Sequence, residues 1–342
     1  MTKNNKAKAN IYSIAKEAGV SVATISRFFS SPDIVKETTG KKIIEICEKY
    51  NYRPSKIARA ITTKKTKLIA FVIPSLKDPA FIEIIAGAEK LMSKKGYILC
   101  LFNTRQNLER EKDIIETIQS MNIDGVMFSG IYGNKEEEIF ISNMQKKEIP
   151  IILVDRIIPG INLPYVMNND YLGGQLAAKF LIENNHKKIG IITYSMKVYI
   201  FKQRVDGFLD VLNKNKMKES FIVEVPLEYN KIEEAVESEK QFLLKSGVSS
   251  IFCVADSIAI FLSRLLVENN VKIPKEISVM GFDNIIFSNY LIPRLTTIDH
   301  DMFSLGEAAA ENLIYKLENG RFKNKSEIID PILIKRDSVR KF

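Results

Sequence analysis

The sequence is poor in the residues that build disulfide and metal frameworks. Its three cysteines, Cys47, Cys100 and Cys253, lie far apart along 342 residues. That spacing excludes a dense disulfide scaffold and any CxxC metal site. Two histidines, His186 and His300, leave little room for histidine-rich metal chemistry. No apolar run approaches the roughly 20 residues that span a bilayer. The first ten residues are rich in Lys and Asn and lack the apolar centre of a signal peptide. The HExxH, GxxxxGKS/T and GxSxG motifs are missing, and so is any clear glycine-rich phosphate loop; Gly173-Gly174 alone is a weak signal. The expectation is a cytoplasmic protein that is not an enzyme, with no catalytic residues, no metal, no cofactor and no membrane contact.

Hydrophobic residues make up 46% of the chain, ordinary for a globular protein and too many for a disordered one. Length suggests two or three folding units. Charge is unevenly placed. Residues 1–67 carry fifteen basic and five acidic side chains, whereas the remaining 275 carry 35 and 36. A strongly basic head therefore precedes a nearly neutral body. A basic block with helical patterning reads as a phosphate-backbone binder. A solvated Lys-rich tail accounts equally well for Lys3, Lys6 and Lys8, but not for residues 11–61, which have a core pattern of their own.

That pattern predicts three short helices and a hinge. Ile11, Ile14, Ala15 and Ala18 fall on one helical face. Gly19 can take the positive φ of a tight turn, Val20 plugs the turn, and Ser21 suits the N-cap of a second helix. Ile25, Phe28 and Phe29 are the inner side of that helix, so Val22, Ala23, Ser26 and Arg27 point away. A helix presenting small residues and an Arg can enter a major groove, where Arg pairs with guanine O6 and N7. A third helix is expected over about 37–50, with Ile43, Ile44, Ile46 and Cys47 inward and Tyr50 and Tyr52 closing the packing.

The body alternates apolar strand-length runs with amphipathic stretches. Strands are expected at 68–74, 97–102, 124–129, 150–154, 188–193, 221–225, 249–254, 277–282 and 327–335. Helices are expected at 80–95, 109–121, 171–184, 203–214, 231–245, 257–269 and 303–319. This order gives parallel sheets covered on both faces. Eight strands before the last helix exceed one small sheet, so the body divides into two α/β lobes with ligand at the carboxyl ends of the strands.

The run IYSIAKEAGVSVATISRFFSS at 11–31, followed by NYRPSKIARAI at 51–61, resembles the DNA-binding head of the lactose-repressor and galactose-repressor family of bacterial transcription regulators. The body resembles that family's periplasmic-binding-protein-like core through PIILVDR (150–156), YVMNNDYLGG (165–174), RVDGF (204–208), VADSIA (254–259), ISVMGFDN (277–284), PRLTTI (293–298) and LIKRDS (333–338). The resemblance implies an α/β fold: a helix-turn-helix head at 1–53, a hinge helix and linker at 54–67, and a two-lobed, doubly wound core at 68–342. Lobe one would comprise about 68–165 plus 297–325, and lobe two about 166–296 plus 326–338.

Carried over residue by residue, the resemblance places Val22, Ala23 and Arg27 on bases, and Ser21, Thr24, Ser26 and Thr39 on phosphates. Ser55, Ala58, Arg59 and Ile61 would lie in the minor groove, with Ile61 the wedge between base pairs. Asp78, Phe81, Arg204 and Asp283 would hold the effector. Their chemistry suits a sugar: a guanidinium donates in a fork, carboxylates accept from hydroxyls, and an aromatic stacks on an apolar sugar face. Departures from the family pattern include Ile61 for Leu, Ser55 for Asn, Gly40 for Arg and Ala255 for Asn. Asp256 reads as a loop-orienting residue, His186 as a packing histidine, and Asp155-Arg156 as a lobe contact. Arg204 read alone has a surface ion pair as its alternative, Asp283 a helix cap and Phe81 a core position.

The implied function is a repressor of carbohydrate-utilisation genes, controlled by a sugar or sugar phosphate. It would act as a nucleoid-associated homodimer on a near-palindromic operator, with no heptads after LIKRDS to make a tetramer. Sugar-type members release DNA on binding effector, and purine-type members do the reverse. Alternatives are a purine-type co-repressed regulator, a catabolite regulator governed by a phosphorylated carrier protein, which the Val22-Ala23 pair resembles, and, outside regulation, a solute-binding protein.

Overall fold

The computed structural model describes residues 10–30, 32–52, 65–129, 135–158 and 160–341. The hinge residues Ser55, Ala58, Arg59 and Ile61 fall outside this set. The chain forms two compact units, 1–67 and 68–342.

The head holds α1 (Ile11–Ala18), α2 (Val22–Ser30) and α3 (Glu37–Lys49). Asn10 starts α1 by accepting from the Tyr12 and Ser13 amides, and Ser13 Oγ accepts in return from the Asn10 amide. Gly19 ends it at φ 69°. Ser21 caps α2, its Oγ accepting from Thr24 N at 3.1 Å. Ile14, Ala15, Ala18, Ile25, Ile43, Ile46 and Cys47 form the head's core, with Phe28, Phe29 and Tyr52 packed around it. Three expectations change. Ile44 is 46% exposed and Tyr50 43% exposed, so neither closes the packing. Val22 leans half-buried onto the head core instead of facing fully outward. Gly40 has a packing reason: a methyl there would meet the Phe28 ring at 2.8 Å.

In the body, lobe one is built on a six-stranded parallel sheet. Its strands are β1 (Leu68–Ile73), β2 (Ile98–Asn103), β3 (Gly125–Phe128), β4 (Ile151–Val154), β5 (Tyr165–Asn168) and β11 (Ser326–Ile329), ordered β11-β5-β4-β3-β1-β2. Helices α4 (Pro79–Lys94), α5 (Leu108–Ser120) and α6 (Lys135–Lys146) connect its strands. Lobe two holds β6 (Ile189–Tyr194), β7 (Phe221–Val225), β8 (Ser250–Cys253) and β9 (Ser278–Met280), ordered β7-β6-β8-β9 and all parallel. Its helices are α7 (Asp170–Glu183), α8 (Tyr199–Lys214), α9 (Ile232–Ser238), α10 (Lys240–Lys245) and α11 (Asp256–Glu268). The β-rich runs are buried on both faces, as crossover-covered sheets require.

The strand expected over 327–335 is split at Asp330-Pro331. Its first half, β11, pairs in parallel with β5 and so belongs to lobe one, whereas the expected lobe-two segment began at 326. Its second half, β12 (Ile332–Ile334), pairs antiparallel with β10 (Thr297–Asp299). A proline without an amide hydrogen cannot continue the ladder. The last helix, α12 (Met302–Asn319), packs back on α4 in lobe one. The chain therefore crosses between lobes after β5, after β10 and after β11. The stretch expected as one helix over 231–245 is the pair α9 and α10.

Candidate functional site

On the head, Ser21, Ala23, Ser26 and Arg27 are exposed along α2, while Val22, Thr24 and Thr39 are half-buried. Ser21 Oγ and Thr24 Oγ1 lie 2.9 Å apart, so the two hydroxyls share a hydrogen bond at the start of the helix. The surface of α2 is thus two small side chains and one guanidinium, a profile that fits a groove.

In the body, a cleft of about 330 Å³ opens between the lobes. Asp78, Phe81, Arg204 and Asp283 all line it, so four residues distant in sequence meet in one place. Arg204 is its anchor. It lies on α8 and is 1% exposed. Its Nε donates to Asp170 Oδ1 at 2.8 Å, and its Nη1 donates to the Val254 carbonyl at 2.7 Å and to Asp283 Oδ1 at 2.8 Å. The Phe282 ring centroid sits 3.9 Å from the guanidinium carbon. Such a buried cation stays ionised because its carboxylate partners outweigh its desolvation; its pKa is raised, with Asp283 the largest raising influence.

Helix packing fixes Arg204 further. A methyl on Gly174 of α7 would meet the Arg204 carbonyl oxygen at 2.0 Å, and one on Gly207 of α8 would meet the Tyr171 carbonyl oxygen at 2.0 Å. The two helices cross at bare backbone, and only glycine permits that approach.

Asp283 occupies a strap with φ 108°, followed by Asn284 at 52°. Both positions lie where side chains are rarely found. Surrounding bonds hold them there. Asp283 N donates to the Ile298 carbonyl at 2.8 Å, Asn284 Nδ2 to Asp299 at 2.9 Å, and Arg336 to Asn284 Oδ1 at 2.6 Å. Asp256 orients the same strap, as expected: it accepts from Ile285 N at 3.0 Å, Thr297 Oγ1 at 2.6 Å and Ser288 Oγ. Burial pushes the Asp256 carboxyl up to about 7, and the charge of Asp283 adds to that.

From lobe one, Asp78 caps α4 through Ala80 N at 3.1 Å, and desolvation, then Asp283, push its carboxyl up to about 6. Phe81 both lines the cleft and packs on the lobe-one core. Gln106 Nε2 donates to the Leu227 carbonyl at 3.0 Å, tying the lobes together across the opening. His186 is a packing histidine, its Nδ1 2.9 Å from Ser249 Oγ and its Nε2 3.1 Å from the Arg340 carbonyl oxygen.

Sequence reasoning missed several wall residues. Asp155 and Arg156 are buried against the cleft, and Tyr194, Phe201 and Gln106 line it too. Asp155 immediately follows β4, and the carboxyl ends of parallel strands are where ligands bind; that position was the usable signal. Tyr194, the last residue of β6, carried the same signal. Among the described residues no group of three or more potential ligands could hold a metal, and no helix is long and apolar enough to cross a membrane.

Comparison with known proteins identifies the arrangement. Residues 66–341 match the family described as periplasmic binding proteins and sugar binding domain of LacI family. Residues 10–55 match bacterial regulatory proteins, lacI family. The ribose operon repressor of Haemophilus influenzae is 28% identical over 334 residues, covering 97% of this chain and 98% of that protein. The HTH-type transcriptional repressor PurR of Photobacterium profundum is 30% identical over 337 residues, covering 97% and 99%. The Lac repressor dimer bound to operator and the anti-inducer ONPF shares the fold, with TM-score 0.84, 20% identity, and 97% and 99% coverage. A LacI family transcriptional regulator from Enterococcus faecalis with bound ribose has TM-score 0.71 and 29% identity, covering 80% of this chain and 99% of that one. With a DNA-binding head and an effector core both matched along nearly its full length, the chain belongs to the LacI family of bacterial regulatory proteins.

Proposed function

We propose that this protein is an operator-binding repressor that releases DNA when a neutral sugar fills the cleft between its lobes. The observation that carries the reading is the buried Arg204–Asp283 pair in a cleft that also presents Asp78 and Asp155. Fixed guanidinium and carboxylate groups match the alternating acceptors and donors of a polyol. The lining carboxyls Asp78, Asp155 and Asp283 are matched in number by Arg156, Lys197 and Arg204, so the choice of an uncharged sugar over a sugar phosphate rests on the ribose-bound neighbour. The ribose carried by the Enterococcus faecalis neighbour and the name of the Haemophilus influenzae relative make a pentose the first ligand to test.

In this reading Val22, Ala23 and Arg27 read bases, Ser21, Thr24, Ser26 and Thr39 meet phosphates, and the segment holding Ser55, Ala58, Arg59 and Ile61 enters the minor groove. The head comprises residues 1–53 and the hinge runs over 54–67. Two copies act together on a near-palindromic site, which places the protein in the cytoplasm at the nucleoid. One run supports self-association: Ile286, Phe287, Tyr290 and Ile292 are all more than half exposed, the last by 94%. A cleft so furnished with polar groups favours a small ligand over control by a carrier protein.

The test is a thermal-shift screen of the full chain against pentoses, hexoses, their phosphates and purine bases, followed by a DNA titration with each hit. A ligand at 100 times its Kd should stabilise by about 2.7 kcal/mol. A neutral sugar that stabilises the chain and weakens DNA binding is the expected result. Stabilisation by a purine base that tightens DNA binding would replace the reading with co-repression.

A further inference from the structure

We infer that the effector binds by displacing a proton from Asp155, so that this regulator's response to its ligand is coupled to pH. The inference rests on the sugar reading of the cleft.

Asp155 turns inward directly after β4, on a backbone with φ 54°. It is 5% exposed, and its Oδ1 has no hydrogen-bond partner among the described residues. The groups facing it come from every neighbouring element. They are Asp170 at the start of α7, Arg204 on α8, Asp283 on the strap after β9, and His300 after β10. Asp78 reaches the same set of groups from the start of α4. Asp78, Asp155, Asp170 and Asp283 therefore share the field of Arg204, while Arg156 and Lys197 line the same cleft.

The Arg204 guanidinium is committed elsewhere. The described bonds of Arg204 run to Asp170, Val254 and Asp283. His300 is fully buried, with Nε2 3.1 Å from Asp283 Oδ1, so its nearest acid is also Asp283. Asp170 also keeps one buried oxygen, Oδ2, without a partner, but its Oδ1 is held by Arg204, whereas no described bond of Arg204 reaches Asp155, which lines the cleft where a ligand can meet it. A carboxyl so placed retains its proton, and burial followed by Asp170 pushes it up to about 7.

A sugar hydroxyl entering the cleft supplies the missing donor. Two effects then oppose each other. Excluding more water favours the neutral acid, but Asp155 is already almost out of water, so little remains to lose. Donating a hydrogen bond to the carboxylate favours the ionised acid, and this gain is new in full. The second effect wins. The step balances simply: the protonated Asp155 carboxyl and the sugar give a carboxylate accepting from a sugar hydroxyl, and the proton passes to solvent.

The experiment is titration calorimetry of the full chain with ribose, and in parallel with D-xylulose. It is run at pH 6 and pH 8, and at pH 6.5 in two buffers of different ionisation enthalpy. For the protein as it stands, affinity should rise about tenfold from pH 6 to pH 8. The buffer pair should report release of a fraction of a proton approaching one. Asp155→Asn keeps an acceptor oxygen and cannot titrate, so its rise in affinity should shrink to about twofold at most, the share that Asp78 at about 6 can contribute, and its heats in the two buffers should draw together. Wild-type affinity that is flat or falls with pH, buffer-independent heat, or an unchanged slope in Asp155→Asn would each overturn the inference. Should Asp155→Asn fail to fold, the wild-type buffer pair decides alone. Absence of binding by both sugars at both pH values overturns the sugar reading, and this inference with it.

Discussion

Removing Arg204 would strand two buried carboxylates at once. Asp170 and Asp283 each take a 2.8 Å bond from it, and both are almost fully buried. Breaking such a set from one side costs about 3–5 kcal/mol. Arg204→Leu is therefore expected to lower the unfolding free energy of the body by that amount, measured by urea titration. A loss below about 1 kcal/mol would place Arg204 among ordinary surface pairs. Arg27 differs in kind, since it is exposed on the head and no part of a core. Arg27→Ala should leave folding and sugar binding intact and reduce discrimination between operator and random DNA by about 1–3 kcal/mol. Competition binding checks this, and unchanged discrimination would remove Arg27 from the reading surface. At this scale the motifs made Arg204 and Asp283 legible. Asp155 was legible only as half of a strand-end pair read as a lobe contact; that it is buried in the wall of the cleft, on a backbone with φ 54°, depends on packing that local pattern does not carry.

Among elements, the crossing of α7 and α8 sets where Arg204 stands. Gly174→Ala would drive a methyl into the Arg204 carbonyl oxygen and force the helices apart. Sugar affinity should fall at least tenfold, while DNA affinity without sugar changes little; calorimetry and gel shift read the two separately. Wild-type sugar affinity would mean the helices part without moving Arg204. Most strands were legible because their Val and Ile runs are buried on both faces. The exceptions share a cause. β5 and β10 are four and three residues long and contain Asn, Thr and Asp, so no run stands out. The division between β11 and β12 depends on which sheet each half joins, and local pattern carries no such information. Ile44 followed the helical period yet is exposed, because a three-helix head has too little interior to cover every apolar position.

For the whole molecule, two buried carboxyls, Asp155 and Asp256, and the half-buried Asp78 tie stability to pH. Asp78, Asp155 and Asp256 sit at about 6, 7 and 7 in the fold, above the 3.8 of an unperturbed aspartate. A raised value means the folded state holds the proton more tightly. The stabilisation from these groups is present in full below about pH 3.8, falls steadily above it, and is lost once pH has risen through 6 to 7. The melting temperature of the body should therefore fall between pH 5 and pH 8, and a rise across that window would contradict the arrangement. Self-association is a second property at this scale. Phe287→Glu, on the exposed apolar run, should convert dimer to monomer in sedimentation; an unchanged dimer would place the interface elsewhere.

On the proposed function, sugar in the cleft controls the grip of the head on DNA. The most direct test is fluorescence anisotropy of a near-palindromic duplex selected from random sequence with the full chain, titrated with protein in the presence and absence of ribose at pH 8. Saturating sugar is expected to weaken DNA affinity by about 5–150-fold, the usual range of allosteric coupling. Sugar that binds yet leaves DNA affinity unchanged would contradict it.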